Sequence, residues 1–412
     1  MVIIEEIVGY SLVDRHSGAI LSIHPLVQSW CQDTLVEKDK VRECMMDILG
    51  MSVRLTDDDE LFRIGLIAHV DSLIQNSAIV KPVFQTKYAR IYADSGRYKE
   101  AESLAVTVLD KQKKLFGTNH PDTLTAMANL ASTYRQLGRY QEAESLEVTV
   151  LEKGKQLFGA DHPDTLCAMA NLAATYRRLG RYQEAKSLGV TVVEKRKQLF
   201  GAHNPNTLRA MANLAATYCE LGKFQEAEPL EVTVLEKRKQ LLGADHPDTL
   251  HALGTLATTY CWLGRYREAK PLGVTVLEKR KQLFGADNPD TLCAMANLAA
   301  TYRELGRFQE AEPLEVTVLE KRKQLLGADH PDTLHALGNL ATTYCRLRRY
   351  QEAEPLEVTV LEKRKKLLGA GHPHTLIALG NLATTYRKLG KYQEAKELQA
   401  QYEEADNSLQ SL

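Results

Sequence analysis

The sequence lacks a run of about eighteen apolar residues and lacks a basic start followed by a long apolar segment. These absences are atypical of membrane spans and secretory signals, so we expect a cytoplasmic protein with no membrane partner. An excess of one charge is also missing, because 52 Lys and Arg residues oppose 53 Asp and Glu residues, leaving a net charge of -1. Without a general positive field, we expect no nucleic-acid partner.

Cysteine is sparse, and its spacing matches no known site. The seven cysteines form no C-x-x-C pair, and their odd number disfavours a disulfide framework, which predicts free thiols in a reducing compartment. A G-x-x-x-x-G-K-[ST] loop and a G-x-S-x-G elbow are absent too, so there is no phosphate cradle and no hydrolase nucleophile of that type. We therefore expect no cofactor, no metal, no catalytic residues and no enzymatic activity.

The sequence does contain a regular repeat. A His-Pro or Asn-Pro pair begins at residues 120, 162, 204, 246, 288, 330 and 372, so every step is 42 residues. A tyrosine follows each pair with the same spacing. A degenerate first unit precedes them at 81–116. Self-similarity of this length is typical of solenoid proteins, in which each unit packs only on its neighbours.

Each unit predicts two helices, here called helix A and helix B. In the first complete unit, helix A is predicted over 122–137 and helix B over 140–157, because apolar residues recur there at steps of three and four. Helix A buries Leu124, Met127, Leu130, Ala131, Tyr134 and Leu137; helix B buries Tyr140, Ala143, Leu146, Val150 and Leu157. Glycine follows helix A in most units, as expected for a left-handed residue after a helix end, but Arg348 takes that place in one unit.

The family resemblance rests on residues within one unit: His162-Pro163-Asp164-Thr165-Leu166, Asn171-Leu172-Ala173, Tyr176, Leu179-Gly180-Arg181-Tyr182, Glu184-Ala185 and Leu199-Phe200-Gly201. They resemble the tetratricopeptide repeat in the 42-residue form found in kinesin light chains. The resemblance covers 81–402, about seven full units and the degenerate first one. It implies an all-α fold, a right-handed superhelical solenoid whose A helices line the concave face. The last helix B is expected to end near Tyr402, before a polar tail at 403–412.

Residues 1–80 do not follow the repeat. Residues 9–13, a turn near His16-Ser17-Gly18 and residues 22–30 resemble the winged-helix end of an NB-ARC module, which belongs to signal-transduction ATPases. Residues 66–70 resemble the helical link before the repeats of such proteins. We therefore assign 1–36 to a winged-helix-like remnant and 37–80 to a helical linker, with a generic capping domain as the alternative. The resemblance implies a recognition arm whose nucleotide-binding half is not in this sequence.

Two columns of polar residues on the A helices are the candidate binding residues. The family resemblance implies that asparagines at one position hold the backbone of an extended peptide: Asn129, Asn171, Asn213, Asn297, Asn339 and Asn381. The alternative is that these amides satisfy a neighbouring helix. A second column would favour an acidic peptide through charged hydrogen bonds, or would be a solvated charged face: Arg135, Arg177, Arg303 and Arg387. Trp262 stands at a position that is otherwise polar, either as an aromatic anchor or by chance.

Recurring histidines require a separate interpretation. His162, His246, His330 and His372 share one loop position, where metal binding or helix capping is conceivable. Equivalent histidines of successive units are separated by two helix layers, too far to share an ion, so we favour a role at the helix start.

These observations predict a scaffold that binds a protein or peptide in the concave groove. The N-terminal residues favour the recognition arm of an NB-ARC-type signalling protein. The alternative is a stand-alone adaptor that carries cargo like a kinesin light chain, and the absence of a sustained heptad pattern in 1–80 opposes it. The oligomeric state stays open.

Overall fold

The computed structural model describes residues 13–16, 20–23, 71 and 82–410. Strands β1 (Val13–His16) and β2 (Ile20–Ile23) pair antiparallel, with His16 opposite Ile20. They flank the position at which the sequence predicts a turn. The remainder of the predicted winged-helix-like remnant (1–36) and nearly all of the linker (37–80) lie outside the described residues.

Within residues 82–410 the chain forms sixteen helices, arranged as eight A–B pairs. The A helices are α1 (Pro82–Asp94), α3 (Pro121–Gln136), α5 (Pro163–Arg178), α7 (Pro205–Glu220), α9 (Pro247–Trp262), α11 (Pro289–Glu304), α13 (Pro331–Arg346) and α15 (Pro373–Lys388). The B helices are α2 (Tyr98–Phe116), α4 (Tyr140–Phe158), α6 (Tyr182–Phe200), α8 (Phe224–Leu242), α10 (Tyr266–Phe284), α12 (Phe308–Leu326), α14 (Tyr350–Leu368) and α16 (Tyr392–Gln410). The predicted all-α fold of tandem helix-turn-helix repeats is confirmed.

The chain divides into two compact units, one ending at Leu188 and the other beginning at Gly189, within α6. In the first unit, each of the helices α1 to α5 packs on the next. In the second unit, each of the helices α7 to α16 does the same. Within each of these two runs, the helices therefore bury their apolar faces mainly against their neighbours in the sequence, as in repeat proteins.

The start of each complete A helix is capped by the residue before the proline. The Nδ1 atom of His120 accepts a hydrogen bond from the backbone N–H of Asp122 at 3.2 Å, and proline follows at the first helical position, where a missing N–H costs nothing. The same role falls to His162, Asn204, His246, Asn288, His330 and His372. The interpretation of these histidines as residues of the helix start is confirmed.

The end of each helix A is set by a left-handed residue. Gly138 has a φ of 75°, and Arg348 adopts a φ of 61° at the equivalent place, as predicted. Within the described residues, Arg348 is the one residue other than glycine with a positive φ. The last helix departs from expectation, because α16 continues past Tyr402 to Gln410. Glu403, Glu404 and Ala405 favour helix formation, which explains the longer helix.

The core lies where the A and B helices of a pair meet. Ala131 and Ala143 are both 0% exposed, as expected of small residues where α3 and α4 pack together. The predicted burial of Leu157 is wrong, since it is 47% exposed within a last turn where residues 155–157 all reach solvent. Leu151 and the carboxylate of Glu147 are buried on this helix instead.

A charged contact joins successive B helices near their starts. Arg139 forms ion pairs with Glu142 on α4 and with Glu102 on α2, at 2.5 and 2.6 Å, while its guanidinium covers the ring of Tyr134. Arg181, Arg265 and Arg349 repeat the pattern. These half-exposed pairs link the turn between helix A and helix B to the preceding helix B in these four units, and they add little to stability.

Candidate functional site

A groove of about 830 Å³ lies between the A helices α13 and α15, with α14 contributing to its lining. Helix periodicity brings residues three and four apart to one face, so each A helix presents a short polar row to the groove. The lining residues used below are His335, Asn339, Glu357, Arg364 and Asn381. This groove brings together two of the predicted asparagines.

The asparagine amides are available to a ligand. Asn129, Asn213, Asn297 and Asn381 are exposed, and Asn339 is half-buried. Within residues 82–410, none of these five amide groups makes a hydrogen bond to the chain, although their backbone carbonyls do so at several positions. These amides therefore make no hydrogen bond to a neighbouring helix, and their donors and acceptors are left to solvent or to a ligand.

The arginine column behaves differently from the asparagines. Arg135 lies 3.0 Å from the carboxylate of Glu147, and Arg303 lies 3.3 Å from that of Glu315. Both glutamate side chains are at most 5% exposed, and both arginine side chains are 18% exposed. The positive charges of Arg135 and Arg303 are therefore compensated inside the chain.

The remaining two members of that column are not alike. Arg387 is exposed and donates from Nη2 to the amide oxygen of Gln399 at 3.1 Å. Arg177 occupies the equivalent place on α5 and is half-buried.

We call the A and B helices of one unit, together with the next A helix, a layer. In two layers, cysteine replaces the arginine beside the buried glutamate. The thiol of Cys219 faces Glu231 at 3.9 Å, and the thiol of Cys345 faces Glu357 at 3.7 Å. Glu231 is 6% exposed and Glu357 is 5% exposed, and burial raises the pKa of both carboxyl groups. No cation in the described part of the chain lies within ion-pair distance of either, and one oxygen of each lacks a hydrogen-bond partner there.

The sequence reasoning did not identify these buried glutamates. A signal was present, because a glutamate recurs four residues after the buried alanine of helix B, on its apolar face, at Glu147, Glu231, Glu315 and Glu357. An acidic residue on an apolar face indicates either a paired charge or a functional group.

A second set of arginines, also missed, lies on the B helices of the second unit. The Nη1 atom of each donates to a backbone carbonyl in the first turn of the next A helix, at 2.8–3.2 Å. Arg196 on α6 makes the same bond at 2.9 Å. The four on the following B helices are Arg238, Arg280, Arg322 and Arg364, here called the arginine row. All four are half-buried, and no carboxylate of the described residues lies within ion-pair distance of them. Burial lowers the pKa of Arg364.

The arginine row also affects the groove histidine. Burial lowers the pKa of His335 from its usual value of 6.5, and the nearby charges of Arg322 and Arg364 lower it further. A lowered pKa favours the neutral form of His335, so the guanidinium groups carry the positive charge beside it.

Trp262 is an exposed aromatic residue at the end of α9. Its side chain is 68% exposed and stacks on Phe224, with ring centroids 5.6 Å apart and planes 4° from parallel. The two rings form an aromatic surface that a ligand side chain could cover.

The described part of the chain shows no metal-binding arrangement. No three His, Cys, Asp or Glu side chains come together there in a way that could hold an ion. In the same part of the chain, no helix is both long and apolar enough to cross a lipid bilayer.

Sequence comparison identifies one family over most of the chain. A tetratricopeptide repeat profile matches residues 83–152, 148–197, 248–320, 316–366 and 343–408. A second tetratricopeptide repeat profile matches residues 207–248. No curated protein was found to match the sequence.

Solved structures with the same fold include sensors and signalling proteins. The quorum sensor NprR from B. thuringiensis is 16% identical, with a TM-score of 0.60 over 90% of this chain and 99% of NprR; it has also been solved with its cognate peptide NprX. A signal transduction ATPase with numerous domains and a tetratricopeptide repeat sensor, from Pyrococcus horikoshii, is 14% identical, with a TM-score of 0.61 over 98% of this chain and 58% of that chain. Repeats described as kinesin light chain from Podosopora anserina are 28% identical over 52% of this chain and 97% of that chain, with a TM-score of 0.44.

Proposed function

Since this chain belongs to the tetratricopeptide repeat family, we propose that it is a scaffold without enzymatic activity that binds an extended segment of a partner protein between successive A helices. The observation that carries the proposal is the pair Asn339 and Asn381, whose unengaged amides line one groove from two helices. An extended peptide exposes backbone N–H and C=O groups at regular intervals, and amide side chains can serve both. NprR, a protein of the same fold, has been solved with a cognate peptide, which supports a peptide as the ligand.

A selection from random peptides tests the proposal directly. The full chain is immobilised, a phage-displayed peptide library is selected on it, and the recovered sequences are synthesised with a fluorescent label. Binding to the wild type is then compared with binding to the double variant Asn339→Ala/Asn381→Ala by fluorescence anisotropy. Loss of two peptide contacts is expected to weaken binding about tenfold or more.

The matched control removes two amides outside the groove. Gln282 on α10 and Gln324 on α12 are exposed and do not line it. The double variant Gln282→Ala/Gln324→Ala is expected to bind the peptides as the wild type does. Equal binding by the groove variant and the wild type would overturn the proposal.

The finer proposal concerns the charge of the partner. The arginine row supports a preference for acidic segments, because half-buried guanidinium groups without a counter-ion gain most from a carboxylate. The expected ligand is therefore rich in Asp or Glu, and its affinity falls with added salt. Replacing Arg322 and Arg364 by Gln is expected to weaken the binding of acidic peptides more than that of neutral ones. Replacement by Lys should retain part of the preference for acidic peptides.

We further propose that the chain acts as the recognition arm of an NB-ARC-type signalling protein. The residues of 1–36 that resemble a winged helix support this, as does the shared fold with the sensor-bearing ATPase from Pyrococcus horikoshii. The test is the apparent mass of the native protein on an immunoblot with an antibody against residues 1–75. A mass well above 46.1 kDa supports an arm of a larger switch, whereas a band at 46.1 kDa favours the stand-alone adaptor.

A further inference from the structure

The repeats provide their own comparison for the buried glutamates. In two layers the chain neutralises the glutamate with its own guanidinium, as Arg135 does for Glu147 and Arg303 for Glu315. In each case the same arginine also donates to a backbone carbonyl of the next A helix, that of Asn171 at 3.1 Å or that of Asn339 at 3.5 Å. A guanidinium at this position can therefore interact with two acceptors, the glutamate carboxylate and the backbone carbonyl.

The layer formed by α13, α14 and α15 keeps the acceptors but lacks the guanidinium. Glu357 is 5% exposed, and no cation of the described residues lies within ion-pair distance of it. One of its carboxylate oxygens lacks a hydrogen-bond partner, as do both oxygens of Glu147 and Glu315, so what sets Glu357 apart is the missing guanidinium. Cys345 stands where Arg303 stands two helices earlier, and its side chain ends at Sγ. An ionised carboxyl group that is buried and unpaired is strongly disfavoured unless a cation joins it.

The two layers also differ in the space beside the glutamate. Where Arg303 is present, the cavity that includes Glu315 has about 10 Å³ of room. Where Cys345 is present, Glu357 belongs to the groove of about 830 Å³, open to an incoming ligand. Glu231 is also unpaired, but it does not line this groove, whereas Glu357 does.

We propose that Glu357 binds an arginine side chain of the bound partner, an inference that rests on the proposed peptide-binding function. The guanidinium of that arginine would occupy the position that Arg303 fills in the preceding layer. The guanidinium would lie against the Glu357 carboxylate and donate to the backbone carbonyl of Asn381, the counterpart of the carbonyl of Asn339. The planar fork of arginine suits a carboxylate beside a carbonyl better than the point charge of lysine does.

The same helix also sets a spacing for the ligand. Glu357 and Arg364 both line the groove and are seven residues apart on α14, which is about 10 Å along the helix axis. An extended peptide in the polyproline II conformation covers about 9 Å in three residues and returns every third side chain to the same face. The preferred segment therefore carries an arginine and an acidic residue three positions apart, the arginine on Glu357 and the carboxylate on Arg364.

The test uses two labelled hexapeptides in an alanine–serine background, one with arginine three residues before glutamate and one in the reverse order. Each is titrated with the full chain by fluorescence anisotropy, beside a version in which citrulline replaces arginine and one in which lysine does. Citrulline keeps the shape of arginine without its charge. We expect one of the two orders to bind, with at least a tenfold loss on the change to citrulline and a smaller loss with lysine.

Two substitutions exchange the arginine and the cysteine beside the buried glutamate between the two layers. Cys345→Arg supplies the chain's own guanidinium to Glu357 and is expected to abolish the distinction between arginine and citrulline without lowering the melting temperature. Arg303→Cys frees Glu315 and is expected to add a second arginine-dependent site. Glu357→Gln removes the charge and retains the shape, and should bind arginine and citrulline peptides equally.

Failure of this proposal is distinguishable from failure of peptide binding itself. If the peptides selected on the wild type are lost in Asn339→Ala/Asn381→Ala, but arginine and citrulline versions bind wild type equally, Glu357 is not a recognition site and the groove proposal stands. If neither the hexapeptides nor the selected peptides depend on the groove residues, both proposals fall.

Discussion

Arg303 and Glu315 form an ion pair between helix A and helix B of one unit, with Nε of the arginine 3.3 Å from the carboxylate. The glutamate side chain is 5% exposed and the arginine side chain 18% exposed, so water screens this pair little. Burial raises the pKa of Glu315, while the hydroxyl of Thr343 and the charge of Arg303 oppose that rise. The charge of Arg303 thus offsets part of the cost of burying this carboxylate.

Arg303→Met is expected to destabilise the protein. Removing one partner of a buried pair costs about 3–5 kcal/mol, and the partial exposure of Arg303 places the expected loss near the lower bound. The loss of stability should be smaller at lower pH. Without the charge of Arg303 the pKa of Glu315 rises further, so the buried carboxylate of the variant takes up a proton on acidification. Urea unfolding at pH 7 and at pH 4.5 measures both effects. The double variant Arg303→Met/Glu315→Gln should recover most of the lost stability, and no recovery would contradict the assigned pairing.

The sequence predicted the helices well because their signals are local. Proline at the start of helix A, glycine after its end and apolar residues at steps of three and four set the bounds of α3 and α4 to within a residue or so. Leu157 was misassigned for a different reason. Its periodicity is correct, but burial depends on whether a neighbouring helix reaches that far, and periodicity carries no such information.

Glu231→Gln is expected to change how stability depends on pH. Burial raises the folded-state pKa of Glu231 above its unfolded value, so its contribution is fully present below the unfolded pKa and is lost as pH rises through the folded pKa. The variant should therefore gain stability relative to the wild type as pH increases from 4 to 8. The control is Glu226→Gln on the exposed side of α8. A constant difference between wild type and Glu231→Gln across this range would be inconsistent with an unpaired buried carboxyl group.

Ala215→Leu is expected to lower the melting temperature clearly. Ala215 is 0% exposed on α7, at the place where helices A and B approach most closely, so three added carbons have no room. Overpacking of this kind costs about 1–3 kcal/mol. Ala400→Leu on the exposed face of α16 is the control and should leave the melt nearly unchanged. An unaltered melt for Ala215→Leu would remove the packing role assigned to this alanine.

Trp262→Ala is expected to weaken peptide binding with little effect on stability. The side chain is 68% exposed and its stacking on Phe224 contributes about 1 kcal/mol or less to folding. As an aromatic anchor it would account for about a tenfold change in affinity. Anisotropy titrations with the selected peptides measure this, with Arg346→Ala, an exposed residue at the equivalent position of α13, as the control. Equal affinities would show that the ligand does not reach the aromatic surface.

The candidate site was only partly foreseeable. The asparagines could be placed on one face of helix A because helical geometry alone decides it, and the structure leaves their amides unengaged. The ion pair of Arg135 could not be predicted, because its partner Glu147 lies on another helix. The sequence does not specify the register of that helix against α3. The hydrogen bonds of the arginine row could not be predicted either, because their acceptors are backbone carbonyls, which every residue carries.

Arg348→Gly is expected to stabilise the protein. Arg348 has a φ of 61°, where a residue with a Cβ atom is strained by about 1–2 kcal/mol, and its side chain makes no hydrogen bond or ion pair with the described residues. Part of the gain is offset by the greater freedom of glycine in the unfolded chain, so about 1 kcal/mol should remain. Gly306→Arg places the same strain in the turn after α11, where φ is 71°, and should destabilise by a similar amount. Urea unfolding of both variants measures the two changes. A loss of stability in Arg348→Gly would mean that the arginine makes a contact in solution that outweighs its backbone strain.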